Sequence, residues 1–214
     1  LWFLQAEDEG WNNYLKAAAL EVKIVDLESK MNINWVAQEH YPSRDSIKSV
    51  MQEVLKIENT VQDTILDSLV DWVDLDDDPR INGMESREYE PFGYKAKNGL
   101  IDDMSELLLI NGIRGEREWL ITRQIPKDDE GNDILDEDMR PHMFIPDLFT
   151  VVSRGKININ TAPIEVLQMV APSMIDYTNQ ILLARQGEDE EEGTEFDLPF
   201  QQVGELADPR IGMD

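Results

Sequence analysis

Two short stretches of the chain share an alternation of apolar and polar positions that is typical of a half-buried strand. Both read Lys-x-Asn-Ile-Asn, at residues 30–34 and again at residues 156–160. After the second copy, Thr161 is a residue type that caps helices, and Pro163 suits a first helical turn. The pattern predicts a strand that leads directly into a helix.

The first copy belongs to a longer alternating stretch, residues 20–35, which predicts a β-hairpin. Leu20, Val22 and Ile24 would share one face of its first strand, and a turn at residues 28–30 would lead into the second. Aromatic residues stand among acids in residues 1–19, and part of this segment is predicted to be helical.

Between the two copies the apolar spacing changes to three and four residues, which indicates amphipathic helices. The pattern predicts helices from about residue 45, from about residue 60, over residues 102–112, around Trp119, over residues 173–185 and near residues 200–206. A strand layer at the two ends of a helical insertion predicts the α+β class.

Acidic residues are concentrated in a loop that begins at Asp74. Asp74, Asp76 and Asp78 alternate along the chain, and Glu85 stands eleven residues after Asp74. These are ligand offsets of a calcium-binding loop, so we predict a calcium site at these four carboxylates. Pro79 stands where that loop needs a glycine, so an ordinary EF-hand is not expected. The alternative is a solvated loop, in which carboxylate repulsion has no counterion.

The balance of charge restricts the partners of the chain. Asp and Glu number 45, Lys and Arg 19, and the formal net charge is −26. Such a field repels nucleic acid and anionic lipid, and it favours cations and basic partners. Cysteine is absent and there are only two histidines, far apart, so disulfides, thiolate nucleophiles and His- or Cys-based metal sites are not expected.

The apolar content is that of a folded protein, but no apolar run approaches the roughly 20 residues that a membrane span requires. The chain opens at Leu1 rather than at a methionine. We therefore expect the sequence to be a fragment of a longer protein.

The chain carries no motif typical of an enzyme. We find no Gly-rich phosphate loop, nucleophile elbow or metalloprotease helix in the sequence. Paired carboxylates could perform glycosidase-type acid/base chemistry, but a chain this acidic brings carboxylates together by chance. We expect a binding protein rather than an enzyme.

Residues 158–174 resemble a helix-hairpin-helix, whose Gly-rich hairpin binds DNA phosphates through backbone N–H groups. Here the glycines are missing, Pro172 removes an N–H donor, and no basic patch accompanies the motif. A nucleic-acid-binding module is therefore the alternative function.

Several stretches, taken in order, resemble the K-type minor pseudopilin of the bacterial type II secretion system (general secretion pathway protein K). The resemblance covers roughly residues 20–206. It rests on the first Lys-x-Asn-Ile-Asn stretch and the residues before it, on residues 69–85 with the acidic loop, on residues 102–112, and on residues 156–167.

The resemblance implies a pilin-like α/β body interrupted by a large, mostly helical inserted domain. Residues 1–40 would hold a helix stump and the hairpin, and residues 41–147 the inserted domain with its acidic loop 74–99. Residues 148–214 would hold the returning strand, SAM/helix-hairpin-helix-like helices and the C-terminal tail.

The resemblance also implies a function. Such a protein assembles with the I- and J-type minor pseudopilins into a tip complex that initiates pseudopilus assembly and supports protein export across the outer membrane. Members of this family bind calcium, in agreement with the predicted site.

The sequence departs from the family at both ends. The hydrophobic helix that anchors pseudopilins in the inner membrane is absent, as are final strands after Leu206. We expect a soluble fragment from the periplasmic face of that membrane, with a helix stump near the partner surface in residues 1–19. A related type IV pilus tip protein with the same inserted domain is a further alternative.

Overall fold

The chain is mostly helical, with very little strand, over the part that the structure describes. The computed structural model describes residues 24–39, 43–135, 140–170, 172–207 and 211. The α-helices are α1 (Ile33–Ala37), α2 (Arg44–Glu53), α3 (Asn59–Val73), α4 (Ser86–Tyr89), α5 (Trp119–Thr122), α6 (Ile145–Leu148), α7 (Ile164–Val170) and α8 (Thr178–Gln186). The 3-10 helices are Leu27–Ser29, Glu90–Phe92, Met104–Leu109, Pro172–Asp176 and Val203–Ala207, and the strands are β1 (Met31–Asn32) and β2 (Phe149–Thr150).

Helix α3 lies at the centre of the hydrophobic core. Its apolar positions recur three and four residues apart, and Ile65, Leu69 and Trp72 are all buried. Helices α1 and α2 pack against it, and α2 also packs against α7. The helices predicted from about residues 45 and 60 are therefore confirmed as α2 and α3, and they hold the two halves of the chain together.

The remaining predicted helices are confirmed in shorter or tighter forms. Residues 104–109 form a 3-10 helix, which Asp103 caps by accepting a hydrogen bond from the Ser105 N–H at 2.8 Å. Helix α5 lies at the expected position around Trp119. The helix predicted from residue 173 is divided, because a 3-10 helix at Pro172–Asp176 precedes α8.

The predicted hairpin is wrong over residues 24–35. Residues 24–26 form no strand, residues 27–29 form a 3-10 helix, and α1 begins at Ile33. Strand β1 pairs in parallel with β2, with Met31 opposite Phe149 and Asn32 opposite Thr150. Residues 20–23 and the helix stump expected within residues 1–19 lie outside the described residues.

The two Lys-x-Asn-Ile-Asn stretches share a hydrogen-bonding pattern rather than a strand conformation. Residues 156–160 are irregular, so the strand predicted there is wrong. In both copies the first asparagine side chain accepts a hydrogen bond from the N–H two residues on, at 2.9 Å for Asn32 and 3.1 Å for Asn158.

The side-chain amide of the second asparagine in each copy forms two hydrogen bonds with the backbone of one distant residue. It donates one bond through its nitrogen and accepts the other through its oxygen. Asn34 donates to the Ile101 carbonyl at 3.0 Å and accepts from the Ile101 N–H at 2.8 Å. Asn160 forms the same pair of bonds with Phe200, at 2.9 Å and 2.8 Å. The repeated sequence therefore marks two equivalent clamps, one on the segment before the 3-10 helix Met104–Leu109 and one on the segment that follows α8.

We expect Asn34→Asp to destabilise the fold more than Asn160→Asp. The aspartate cannot donate to the carbonyl and introduces a charge, and Asn34 is 7% exposed whereas Asn160 is half-buried. A lost hydrogen bond with a buried unpaired acceptor costs about 1–3 kcal/mol. Urea unfolding of both variants at neutral pH measures the difference in the free energy of unfolding. A loss for Asn34→Asp that is equal to or smaller than that for Asn160→Asp would contradict the expectation that the buried Asn34 clamp contributes more to stability.

Candidate metal centre

The last turns of α3 carry two buried carboxylates on one face. Asp67 and Asp71 are four residues apart, so both lie on the side of the helix along which the chain returns. Asp67 is 7% exposed and Asp71 is 0% exposed. Carboxylates this deeply buried require hydrogen bonds or a nearby cation.

The returning loop supplies part of what these carboxylates require. The Asn82 N–H and side-chain amide both donate to Asp67 Oδ2, at 3.2 Å and 2.8 Å. The Arg80 N–H donates to Asp71 Oδ2 at 3.1 Å. A Cβ on Gly83 would lie 1.8 Å from Asp71 Oδ2, so only glycine allows the loop to approach Asp71 this closely.

Asp71 is brought together with two further carboxylates at the junction between α3 and α4. Oxygen atoms of Asp71, Asp74 and Glu85 all lie within 4.8 Å of one another. Asp74 follows the last residue of α3, and Glu85 precedes the first residue of α4. The cluster therefore links the end of one helix to the start of the next.

The cluster contains poorly satisfied carboxylate oxygens. Among the residues that the structure describes, no group forms a hydrogen bond of good geometry with either oxygen of Glu85 or with Oδ1 of Asp74, and all three atoms are buried. Glu85 is 1% exposed. Among the described residues, the cationic group that pairs with the cluster is the Arg80 side chain, whose Nε lies 3.9 Å from Asp71 Oδ1 and which also binds Glu39.

The electrostatics of the cluster disfavour its ionised form. Burial raises the pKa of Glu85 to about 7, and the charges of Asp71, Asp74 and Asp77 add to this effect. Burial likewise raises the pKa of Asp71 to about 6. The hydrogen bond from the Arg80 N–H acts in the opposite direction and lowers this pKa, but it does not cancel the effect of burial. The pKa of Asp74 is also raised, first by burial and then by the charge of Asp76. In addition, the C-terminal end of a helix disfavours negative charge.

A hard divalent cation fits this arrangement. Oxygens of three carboxylates lie within 4.8 Å of one another, and oxygen ligands are the kind that calcium prefers. A bound cation would remove both the repulsion and the missing hydrogen bonds.

The structure brings together only two of the four ligands that the sequence predicted. Asp74 and Glu85 belong to the cluster, whereas Asp76 and Asp78 are exposed and lie outside it. Asp76 Oδ1 instead accepts a hydrogen bond from the Asp78 N–H at 3.0 Å. A binding role for Asp76 and Asp78 stays a prediction.

Asp71 is the cluster residue that the sequence reasoning missed. It lies in the apolar helical run that ends at Val73, where only the buried hydrophobic residues were considered. The sequence feature that could have revealed Asp71 is its position, because it is a charged residue on the buried face of a helix, one turn before the acidic loop.

Comparisons with known proteins relate this part of the chain to a described family. The family model described as type II secretion system (T2SS), protein K matches residues 29–118, which include α1 to α4 and the whole carboxylate cluster. No curated protein matches the chain.

Among solved structures, the chain is similar to a chain of the GspK–GspI–GspJ complex of the type 2 secretion system from enterotoxigenic Escherichia coli. The TM-score is 0.54 at 17% sequence identity, and the match covers 87% of this chain and 57% of that chain. The likeness shows a shared, mostly helical fold, and this chain spans little more than half of the solved one.

We expect the cation-free protein to lose stability as the pH rises from about 4 to about 7. Within this range the folded state retains protons on Glu85 and Asp71 that the unfolded chain has released, because burial raises the pKa of Glu85 to about 7 and that of Asp71 to about 6. One pKa unit corresponds to about 1.4 kcal/mol, so the loss is on the order of 3 kcal/mol for each group.

Urea unfolding in the presence of a chelator measures this loss, with Glu85→Gln as the comparison. The variant has no carboxylate to titrate at this position, so the part of the pH dependence that Glu85 contributes should disappear, while the part that Asp71 contributes remains. A pH dependence that is the same in both proteins would contradict the raised pKa of Glu85.

Proposed function

We propose that this chain, whose residues 29–118 match the model of protein K of the type II secretion system, is a minor pseudopilin of the pseudopilus tip. The family is the one that the ordered resemblance along the sequence predicted, and the family match confirms that prediction. This match is the observation that carries the proposal. In this role the protein would help to initiate pseudopilus assembly and support protein export across the outer membrane.

The proposed partners are the I- and J-type minor pseudopilins. The fold is shared with a chain of a complex whose three components are named GspK, GspI and GspJ. A K-type chain with this fold would occupy the corresponding place in its own tip complex.

We also propose a pilin-like body into which residues 41–147 are inserted as a mostly helical domain. The pairing of β1 with β2 supports this architecture, because it brings Met31 beside Phe149. The chain thus leaves and re-enters the same small sheet at the two ends of the proposed insertion. Residues 1–40 and 148–214 would complete the body.

The role is structural rather than catalytic. The family is a component of a secretion system. Within the described residues, the site described above is a cluster of three carboxylates, which would hold a cation. We infer that the cation stabilises the protein and performs no chemistry.

Calcium is the cation that the site would hold. Asp71, Asp74 and Glu85 would be its ligands, and the exposed Asp76 and Asp78 would add to the local negative charge. Bound calcium would supply the positive charge that the cluster lacks, and it would join the end of α3 to the start of α4.

The proposed location is the periplasmic face of the bacterial inner membrane, in accordance with the family. Within the described residues, no helix combines the length and the apolar character needed to cross a bilayer. Attachment to the membrane would depend on the N-terminal helix that is expected from the family.

The alternative of a nucleic-acid-binding module is not favoured. Helix α7 and the 3-10 helix at Pro172–Asp176 occupy the place of a helix-hairpin-helix. Pro172 cannot donate an N–H to a phosphate, and the net charge of −26 repels the nucleic acid backbone.

We expect calcium to raise the melting temperature by about 5–10 °C. Binding at 100 times the dissociation constant stabilises the folded state by about 2.7 kcal/mol, and 1 kcal/mol corresponds to about 2–4 °C for a chain of this size. Differential scanning fluorimetry with calcium or chelator measures the shift.

Asp71→Asn and Glu85→Gln should each remove most of the calcium shift, whereas Asp78→Asn is the matched control and should retain it. These substitutions keep the size of the side chain and remove one charge each. A shift that survives Asp71→Asn would place the calcium site elsewhere, and no shift in the unmodified protein would refute a calcium site.

We expect the chain to co-purify with the I- and J-type pseudopilins of the same source as a stable complex on size exclusion. The three chains are co-expressed, and a pull-down on immobilised duplex DNA at low and high salt serves as the control. Salt-sensitive retention on DNA without a pseudopilin complex would overturn the proposal in favour of the nucleic-acid module.

A further inference from the structure

An open groove lies between the start of α3 and the turn that follows the 3-10 helix Met104–Leu109. Val61 and Thr64 of α3 form one wall, and the other is lined by residues of the turn: Asn111, Gly112, Arg114, Glu116 and Arg117. The groove is separate from the carboxylate cluster, and the proposed calcium site does not use any of these residues.

Buried residues fix the turn that carries the two arginines. Ile110 and Ile113 are 0% and 1% exposed. The Arg114 N–H donates to the Ile110 carbonyl at 3.0 Å, and the Arg117 N–H donates to the Ile113 carbonyl at 2.9 Å. Both arginines line the same groove.

Gly112 holds this turn close to α3. Its φ is +89°, and a Cβ at this position would lie 2.7 Å from Ile65 Cγ1. Both the backbone conformation and the close contact require glycine. The groove is therefore preformed, which lowers the entropic cost of binding a ligand in it.

The two guanidinium groups are poorly neutralised for a chain with a net charge of −26. Within the described residues, Arg114 forms no ion pair, and its Cζ lies 3.6 Å from the centroid of the Phe92 ring. Arg117 pairs with the adjacent Glu116 at 3.1 Å, but the Glu116 side chain is 80% exposed, and such pairs contribute little. Both arginines are therefore available to an external anion.

Apolar surface lies beside this positive charge. The Phe92 side chain is 44% exposed and stacks under Arg114, and the partly buried Val61 lines the groove. A guanidinium held flat on an aromatic ring keeps its N–H edges directed outward for bidentate binding of a carboxylate.

We propose that this groove docks an acidic segment of a partner protein. Arg114 and Arg117 would bind its carboxylates, and Phe92 and Val61 would contact apolar side chains between them. The adjacent apolar surface favours a peptide over inorganic phosphate, which offers no apolar contact. The inference goes beyond the proposed function and does not depend on assembly with other pseudopilins.

Fluorescence anisotropy with the isolated chain tests the proposal. The probe is a fluorescein-labelled hexapeptide of alternating glutamate and phenylalanine, and the reference probe carries glutamine in place of glutamate. We expect the acidic peptide to bind, with an affinity that falls as salt is added, and the neutral peptide to bind at least tenfold more weakly.

The variant Arg114→Gln/Arg117→Gln should weaken binding of the acidic peptide at least tenfold, which is about 1.4 kcal/mol. Lys95→Gln/Lys156→Gln removes the same two charges at exposed positions outside the groove and should leave binding within about twofold. Melting temperatures confirm that each variant folds.

Three outcomes would overturn the proposal that the groove docks an acidic segment. These are equal weakening by both double variants, equal binding of the neutral peptide, and no binding of the acidic peptide to the unmodified chain. Because no other pseudopilin is present in the assay, these outcomes are independent of the co-purification experiment.

Discussion

Two carboxylates, Asp71 and Glu85, are buried against each other where the chain leaves α3 and enters α4, and Asp74 adjoins them. The loop between these helices must follow α3 closely, because Asp67 and Asp71 bind its backbone N–H groups. The same path turns Glu85 into the protein interior. A buried cluster of this charge is stable only with bound protons or a bound cation, so the position of this loop depends on what occupies the cluster.

The cluster is connected to the proposed docking groove through one side chain. Helix α4 begins after Glu85 and ends at Tyr89, which is 0% exposed and packs edge-on against Trp72 at 5.4 Å. The Tyr89 hydroxyl accepts a hydrogen bond from the Asn111 N–H at 3.1 Å, and Asn111 lines the groove. The short helix that follows the proposed metal ligand Glu85 thus supports the groove at its other end.

Sequence periodicity was sufficient to predict α2 and α3, because their buried faces follow helical spacing. The strands could not be predicted, because β1 and β2 are two residues each and pair across the whole proposed insertion. The repeated Lys-x-Asn-Ile-Asn sequence does not mark two strands, as its alternation suggested. It marks two places where asparagine side chains bind the backbone of a distant segment. The linear spacing of acids predicted Asp74 and Glu85, which the structure places in one cluster, but the third member, Asp71, joins them only through the three-dimensional return of the loop.

Terbium luminescence tests the central claim, a cation site built by Asp71, Asp74 and Glu85, most directly. Terbium occupies calcium sites, and Trp72 and Tyr89 lie beside the cluster in a position to sensitise its emission on ultraviolet excitation. The account predicts sensitised emission that calcium displaces and that Glu85→Gln abolishes. Emission that is absent from the unmodified chain, or that persists unchanged in Glu85→Gln, would contradict it.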